Sequence, residues 1–237
     1  EINENEINSV INKIKNKELH GLNITLPYKK KIIPYLTKVV NDAKESKSVN
    51  TVFLDGDDIV GENTDVFGFQ AGYLKEIVNP KRNNIKALIL GAGGVAPSII
   101  LALIKSNVQE ISVTNRTHEK SLFLKRQFKN IEVIKWQNYD DEIKNFDIII
   151  NATSLGLKNN DDFKNLFQNV KKELVFIDTI YNPGQTKMIK HLKSKNIKTY
   201  NGLDMFIYQG QKSFYTWTKK NPEINDELIN LLMSKIK

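Results

Sequence analysis

Ile85-Lys86-Ala87-Leu88-Ile89-Leu90-Gly91-Ala92-Gly93-Gly94-Val95-Ala96 is the stretch that decides the fold. The apolar run Ala87–Leu90 suits a strand covered on both faces, as in a parallel sheet packed between helices. It runs directly into a G-x-G-x-x-A turn. Gly91 permits the tight turn, Gly93 lets the backbone approach a pyrophosphate, and small Ala96 lets the next helix pack closely on the strand. Around Ala92, Gly94 and Val95 the helix start presents free amides and a positive dipole end to phosphate. A glycine triplet alone is a weak signal, but between a buried strand and a helix it predicts a dinucleotide site.

Working outward, short strands alternate with helices downstream: Ile85–Leu90, Glu110–Thr114, Glu132–Ile134, Asp147–Ile150, Leu174–Ile177 and Lys198–Tyr200. That order predicts an α/β protein with a C-terminal, Rossmann-like, doubly wound parallel sheet. Two helices close the chain, Leu203–Thr218 and Ile224–Ile236, separated by Asn221-Pro222. Upstream the pattern differs. Ile2, Val10, Ile11 and Ile14 give one apolar face to a helix over Ile2–Lys15. Leu22–Leu26 alternates as a strand, and Pro27 suits the first turn of a helix carrying Ile32, Ile33 and Leu36 inward. Val49–Leu54 and Asp58–Gly61 bracket Gly56-Asp57 as a β-hairpin. A helix from Val66 to Val78 stops at Asn79-Pro80, so a smaller α/β domain precedes the parallel sheet, with the boundary at Asn79–Asn84.

Composition narrows the function classes. The 237 residues carry a net charge of +8, with 40% hydrophobic and 26% charged residues, as in ordinary globular proteins. Lysines are scattered rather than clustered with aromatics, which argues against nucleic acid as the partner. No apolar run reaches the roughly 18–20 residues of a membrane span, and the polar start Glu1–Asn8 lacks a secretory core. Zero cysteines exclude disulfides and thiolate metal sites and fit a cytoplasmic setting.

The end of the second parallel strand distinguishes the two nicotinamide dinucleotides. NAD enzymes usually place Asp or Glu about 20 residues beyond the glycines to bind the ribose diol. Here the position reads Asn115-Arg116-Thr117, with Lys120 a turn later. Arg116 and Lys120 would attract a 2′-phosphate that Asn115 and Thr117 hydrogen-bond, so the sequence reads as an NADP(H) site; Thr117 also suits a helix N-cap. The fourth strand ends in Asn151-Ala152-Thr153-Ser154, which puts Thr153 and Ser154 where such folds bind ligands.

Reducing a carbonyl requires a proton donor as well as a hydride. His118 and His191 lie in lysine-rich helical stretches and read as surface residues, while His20 beside Gly21 has no supporting context. Acid–base work then falls to Lys, Asp or Tyr. Two strand-to-helix junctions concentrate such groups, Gly21-Leu22-Asn23-Ile24-Thr25-Leu26-Pro27-Tyr28-Lys29 and Gly61-Glu62-Asn63-Thr64-Asp65. Taken singly, Lys29 is one of many lysines, and Thr64 or Asp65 would simply cap the next helix.

Together these motifs resemble the shikimate dehydrogenase family across nearly the whole chain. The family's N-V-T-x-P-x-K appears as Asn23–Lys29, its A-V-N-T as Ser48–Thr51 and its G-x-N-T-D as Gly61–Asp65. The glycine turn, Asn-Arg-Thr and Asn-Ala-Thr-Ser follow in the family's order, and Gly202-Leu203-Asp204-Met205 leading to Gln209 is similar to its G-x-x-M-L-x-x-Q. The ordered set carries the resemblance; no single motif does.

The resemblance implies an oxidoreductase that reversibly reduces 3-dehydroshikimate to shikimate with NADPH, on the way to chorismate and aromatic amino acids, without a metal. It implies Lys29 and Asp65 as the acid–base pair, with Asn23, Thr25, Asn50, Tyr181 and Gln209 on the substrate. It puts Thr179 and Gly202 near the nicotinamide, although the family often has Met where Thr179 stands. Residues 1–82, completed by helices within 204–237, would form the substrate domain and 83–203 the NADP domain. The family's Ser-x-Ser-Pro segment, which holds the substrate carboxylate, would precede Glu1. The expected partners are small molecules rather than nucleic acid or membrane, and the assembly a monomer or homodimer. The competing readings are a quinate/shikimate dehydrogenase using NAD, a folate-linked dehydrogenase of similar architecture, and a non-catalytic dinucleotide-binding paralogue. The first would want an acid near Asn115, the second has no use for Gly61–Asp65, and the third has no need of Lys29 or Asp65.

Overall fold

The computed structural model describes residues 3–78, 84–158, 163–165 and 167–236. Ile2, the expected start of the first helix, and the boundary residues 79–83 lie outside them. The first part comprises α1 (Ile7–Lys15), β1 (Gly21–Asn23), α2 (Tyr28–Lys31), β2 (Lys38–Val39), α3 (Asp42–Ser46), β3 (Thr51–Asp55) and β4 (Asp58–Glu62). Helix α4 (Asp65–Phe69) continues through a π turn at Gln70–Leu74 into α5 (Lys75–Ile77). Its four-stranded mixed sheet has the order β1-β3-β4-β2, with the expected hairpin formed by β3 and β4.

Some boundaries differ from the periodicity for identifiable reasons. Helix α1 begins at Ile7, and Ile7, Ile11 and Ile14 form its buried face, while Val10 is only half-buried. Strand β1 stops at Asn23, beyond which Thr25 and Tyr28 close a turn, with the Thr25 carbonyl accepting from Tyr28 N at 2.9 Å. The helix after Pro27 is a single turn. Pro34 has no amide to donate, and the chain tightens to a 3₁₀ turn at Ile33–Tyr35, burying Ile32 but only half-burying Ile33 and Leu36.

The second part comprises β5 (Lys86–Leu90), α6 (Ala96–Lys105), β6 (Glu110–Thr114), α7 (His118–Gln127), β7 (Ile131–Val133), α8 (Tyr139–Glu142), β8 (Ile148–Asn151), β9 (Val175–Asp178), α9 (Lys187–Ser194) and β10 (Lys198–Tyr200). All its strands are parallel, in the order β10-β9-β8-β5-β6-β7. The chain winds outward from β5 to β7, then returns to β8 and winds the other way. The reversal between β5 and β8 leaves a crevice at their carboxyl ends, where such sheets bind ligands. Register makes those ends level: Leu90 pairs with both Thr114 and Asn151, and Asn151 with Asp178. Strands β5 and β8 bury Ala87, Ile89, Ile148 and Ile150 on one face and Leu88, Leu90 and Ile149 on the other, as a sheet covered on both faces requires.

Helix α10 (Leu203–Thr218) returns to the first part, and α11 (Asp226–Lys235) ends the chain. Close approach of α10 to α4 depends on Gly68, where a Cβ would lie 2.7 Å from the Met205 carbonyl. Further along, Trp217 Nε1 donates to the Val52 carbonyl at 3.2 Å, and Gly21 must lack a side chain because that indole fills its place. Thr216 Oγ1 donates to Glu62 at 3.0 Å. Tyr73, fully buried, donates to the Asn201 carbonyl at 2.6 Å and accepts from Met205 N at 3.2 Å. Among the described residues no helix is long and apolar enough to cross a membrane.

Candidate active site

Lys29 sits on the one-turn helix α2 and Asp65 opens α4, so two strand-to-helix junctions bring them together. Lys29 Nζ lies 2.5 Å from Asp65 Oδ2, with the side chains only 12% and 7% exposed. Asn50, just before β3, fixes the other carboxylate oxygen: its Nδ2 lies 2.9 Å from Asp65 Oδ1, 2.9 Å from Thr64 Oγ1 and 3.3 Å from Gln209 Oε1. Asn50 Oδ1 accepts from Thr64 N at 2.8 Å. The carboxylate is thus held by a cation on one side and an amide on the other, as a buried charge requires.

A hydroxyl cluster lies behind this pair. Thr51 Oγ1 and Ser213 Oγ are 2.7 Å apart, Thr64 Oγ1 is 3.0 Å from Ser213, and Asn23 Nδ2 donates to Ser213 at 3.1 Å. Asn23, Asn50 and Gln209 therefore meet around Lys29 and Asp65. Thr25 does not join them; it is exposed and its hydroxyl has no partner among the described residues. The capping role considered for Thr64 or Asp65 falls to Asn63, whose Oδ1 accepts from Val66 N at 3.2 Å. Asn63 Nδ2 also reaches Ser98 Oγ of α6 at 2.9 Å, tying this junction to the parallel-sheet part.

Beside the glycine turn lies a cavity of about 450 Å³. Every residue expected to hold the dinucleotide lines it, except Ala92 and Gly202. The walls fit such a ligand. Gly91 has φ +110°, and a Cβ there would strike the Ala152 carbonyl at 2.7 Å. At Gly93 a Cβ would meet nothing nearer than that carbonyl at 3.9 Å, so bare backbone faces open space. Gly94 is occupied from across the cleft: a Cβ would lie 2.4 Å from Leu26 Cδ2. Leu26, three residues before Lys29, thus brings the lysine's turn onto the glycine turn.

At the β6 end, Arg116 and Lys120 are exposed and form no ion pair among the described residues, and no carboxylate lines the cavity. Asn115 is already engaged, accepting from Ala92 N at 3.0 Å and donating to the Thr117 carbonyl at 2.9 Å. Its work is to pin the glycine turn to the Arg116 loop. Thr117 occupies the N-cap position of α7 without a side-chain capping bond. Trp136 and Leu155 also line the cavity, and nothing in the local sequence pattern marks them. Gly202 abuts the Thr179 backbone, where a Cβ would overlap the carbonyl at 2.2 Å.

Asn151 and Asp178 hold the loops at the β8 and β9 ends. Asn151 Oδ1 accepts from Thr153 Oγ1 at 2.6 Å and Thr153 N at 3.0 Å, while its Nδ2 donates to Asp178 Oδ1 at 3.0 Å. Asp178 also accepts from Ile180 N at 3.1 Å and Thr186 Oγ1 at 2.8 Å. Burial pushes its carboxyl up to about 6, outweighing hydrogen bonds that pull the other way. Because the folded state holds this proton more tightly than the unfolded chain, Asp178 lowers stability as pH rises from 3.8 to about 6. Unfolding measured across that range should show the parent protein losing on the order of 2–3 kcal/mol of stability relative to Asp178→Asn as pH rises. A difference independent of pH would mean that Asp178 is not the group responsible.

The histidines stay apart from this chemistry. His20 is exposed; His118 and His191, expected at the surface, are half-buried, and His191 Nε2 lies 3.1 Å from the Phe167 carbonyl. Among the described residues no cluster of His, Asp and Glu is arranged to hold a metal ion.

A doubly wound sheet with a bare glycine turn, facing a lysine–carboxylate pair on an adjoining lobe, defines a dinucleotide-dependent oxidoreductase. The comparisons specify which. The family model described as Shikimate / quinate 5-dehydrogenase matches residues 73–203, and the Shikimate dehydrogenase substrate binding domain matches residues 1–52. The chain belongs to the shikimate dehydrogenase family. It is 46% identical to the Shikimate dehydrogenase (NADP(+)) of Pelagibacter ubique, over 98% of this chain and 85% of that protein. The crystal structure of a shikimate dehydrogenase in complex with NADP+ superposes with a TM-score of 0.85 at 31% identity, covering 100% of this chain and 83% of that one. The quinate dehydrogenase of Corynebacterium glutamicum in complex with NAD gives a TM-score of 0.86 at 25% identity, covering 96% and 82%. Backbone shape does not separate the two activities, so that distinction rests on side chains.

Proposed function

We propose that this protein is an NADP-dependent oxidoreductase acting on a CH–OH group, a shikimate dehydrogenase that interconverts 3-dehydroshikimate and shikimate. Residues 1–82 with 204–237 serve as the substrate lobe and 83–203 as the NADP lobe. The observation that carries this reading is the shielded Lys29–Asp65 contact at 2.5 Å, on the turn whose Leu26 meets Gly94. When bound, NADPH supplies the hydride. Lys29 gives its Nζ proton to the developing alkoxide during reduction and takes one from the hydroxyl during oxidation. Asp65 orients the ammonium and, with Asn50 and Gln209, offers acceptors and donors to ring hydroxyls; Asn23, Thr25 and Tyr181 complete the substrate contacts. The backbone at Gly91–Val95 receives the pyrophosphate, Arg116, Thr117 and Lys120 the 2′-phosphate, and Thr153, Ser154, Thr179 and Gly202 flank the nicotinamide half. The enzyme acts in the cytoplasm, in the supply of chorismate and aromatic amino acids, as a monomer or homodimer.

Absorbance at 340 nm, followed with shikimate or quinate and with NADP or NAD, tests the proposal. The pairing of shikimate with NADP should give the highest kcat/KM. A preference for quinate with NAD would replace this reading by the alternative, and the absence of turnover in all pairings would remove the enzyme assignment.

A further inference from the structure

Tyr181 and Phe206 stack face to face, with ring centroids 4.7 Å apart and planes 24° from parallel. Both rings are solvent-exposed, at 38% and 39%. Tyr181 lies three residues beyond β9, two after the cavity-lining Thr179, and Phe206 lies in the first turn of α10, one turn before Gln209, so the stack ties the β9 loop to α10. The Phe206 carbonyl accepts from Gln209 Nε2 at 3.0 Å, and Oε1 of the same carboxamide lies 3.3 Å from the Asn50 amide that holds Asp65. The Tyr181 hydroxyl has no hydrogen-bond partner among the described residues.

A tyrosine side chain turns about two bonds, and an aromatic face packed against its ring removes much of that freedom before a ligand arrives. Stacked rings also attract beyond the area they bury. We infer that Phe206 is a positioning residue for the substrate: its ring backs Tyr181 and aims the free hydroxyl at a hydroxyl or carboxylate of the bound acid. Its main-chain carbonyl meanwhile sets the Gln209 carboxamide. Phe206 itself touches neither the reacting carbon nor the proton in flight. The inference rests on the reading of this cleft as the shikimate site.

Steady-state kinetics of the full chain separate positioning from mere packing. Phe206→Leu keeps apolar bulk but removes the ring face. It should raise the KM for shikimate about three- to tenfold, with kcat and the KM for NADP held within about twofold. Phe206→Tyr restores a ring face and should return KM to near the parent value. Tyr181→Phe removes the hydroxyl, and adding Phe206→Leu to it should raise KM no further. Phe206→Met gives the same comparison should the leucine variant not fold. An unchanged KM in a folded ring-less variant, or effects that multiply in the double variant, overturns the inference while parent activity on shikimate stands. Loss of shikimate oxidation by the parent chain overturns the underlying reading with it.

Discussion

Lys29→Ala lowers kcat for shikimate oxidation by about a thousandfold or more, while NADP affinity stays near that of the parent protein. Positioned proton transfer contributes about 10²- to 10⁴-fold to such reactions, and no other described group in the cluster combines a titratable nitrogen with this placement. Asn50, Thr51, Thr64, Gln209 and Ser213 are neutral hydrogen-bonding groups, and the histidines lie elsewhere. The truncation also leaves the shielded Asp65 carboxylate with the Asn50 amide but without its cation, so melting temperature should fall as well. Lost activity therefore needs a companion measurement. Fluorescence titration with NADP reports on the other lobe, and unchanged binding there shows that the fold persists. Lys29→Arg should be nearly as inactive, because a guanidinium keeps its charge but does not give up its proton at working pH. Parent-like turnover in either variant would end the assignment of Lys29.

The contrast between what was legible in the sequence and what was not follows from contact range. Strands such as Glu110–Thr114 and Lys198–Tyr200 match residue for residue, although neither is apolar throughout and the second is an edge strand, because each is a short run rich in β-branched or aromatic residues bounded by turn residues. The glycine turn was equally readable, since its constraint is local: Gly91 is excluded from carrying a side chain by the neighbouring Ala152 carbonyl. Ser213 could not be read in this way. It lies 149 positions from Thr64 and 190 from Asn23, and it acquires meaning only when α10 returns across β3 and α4. Its one local clue is that it stands a turn beyond Gln209, whose carbonyl accepts from Ser213 Oγ at 3.0 Å. Leu26 is similar, a largely exposed apolar residue whose one legible use is its contact with Gly94 on the far wall. Asn115 is a different case. Its place on the cavity wall was legible but its bonds to the backbone were not, because side-chain type alone does not say which backbone groups an amide also holds.

Arg116→Ala should weaken NADP binding about a hundredfold and change NAD binding by no more than about twofold. Since NADP-bound and NAD-bound relatives superpose equally well on this chain, selectivity has to come from groups at the β6 end rather than from the shape of the crevice. With Asn115 tied to Ala92 and Thr117, the free cations there are Arg116 and Lys120, both exposed and neither committed to a carboxylate among the described residues. A guanidinium can take two phosphate oxygens at once, whereas the ribose hydroxyl of NAD offers it no charge to meet. Lys120, on a flexible stem, supplies a weaker point charge, so its alanine variant should lose less than the arginine variant. Both losses should shrink as ionic strength rises, because these cations face solvent. Isothermal titration of each variant with both dinucleotides, at low and high salt, provides the measurement. Equal losses for NADP and NAD would mean that Arg116 shapes the pocket rather than reading the phosphate, and the cofactor preference would then have to come from the backbone of the loop.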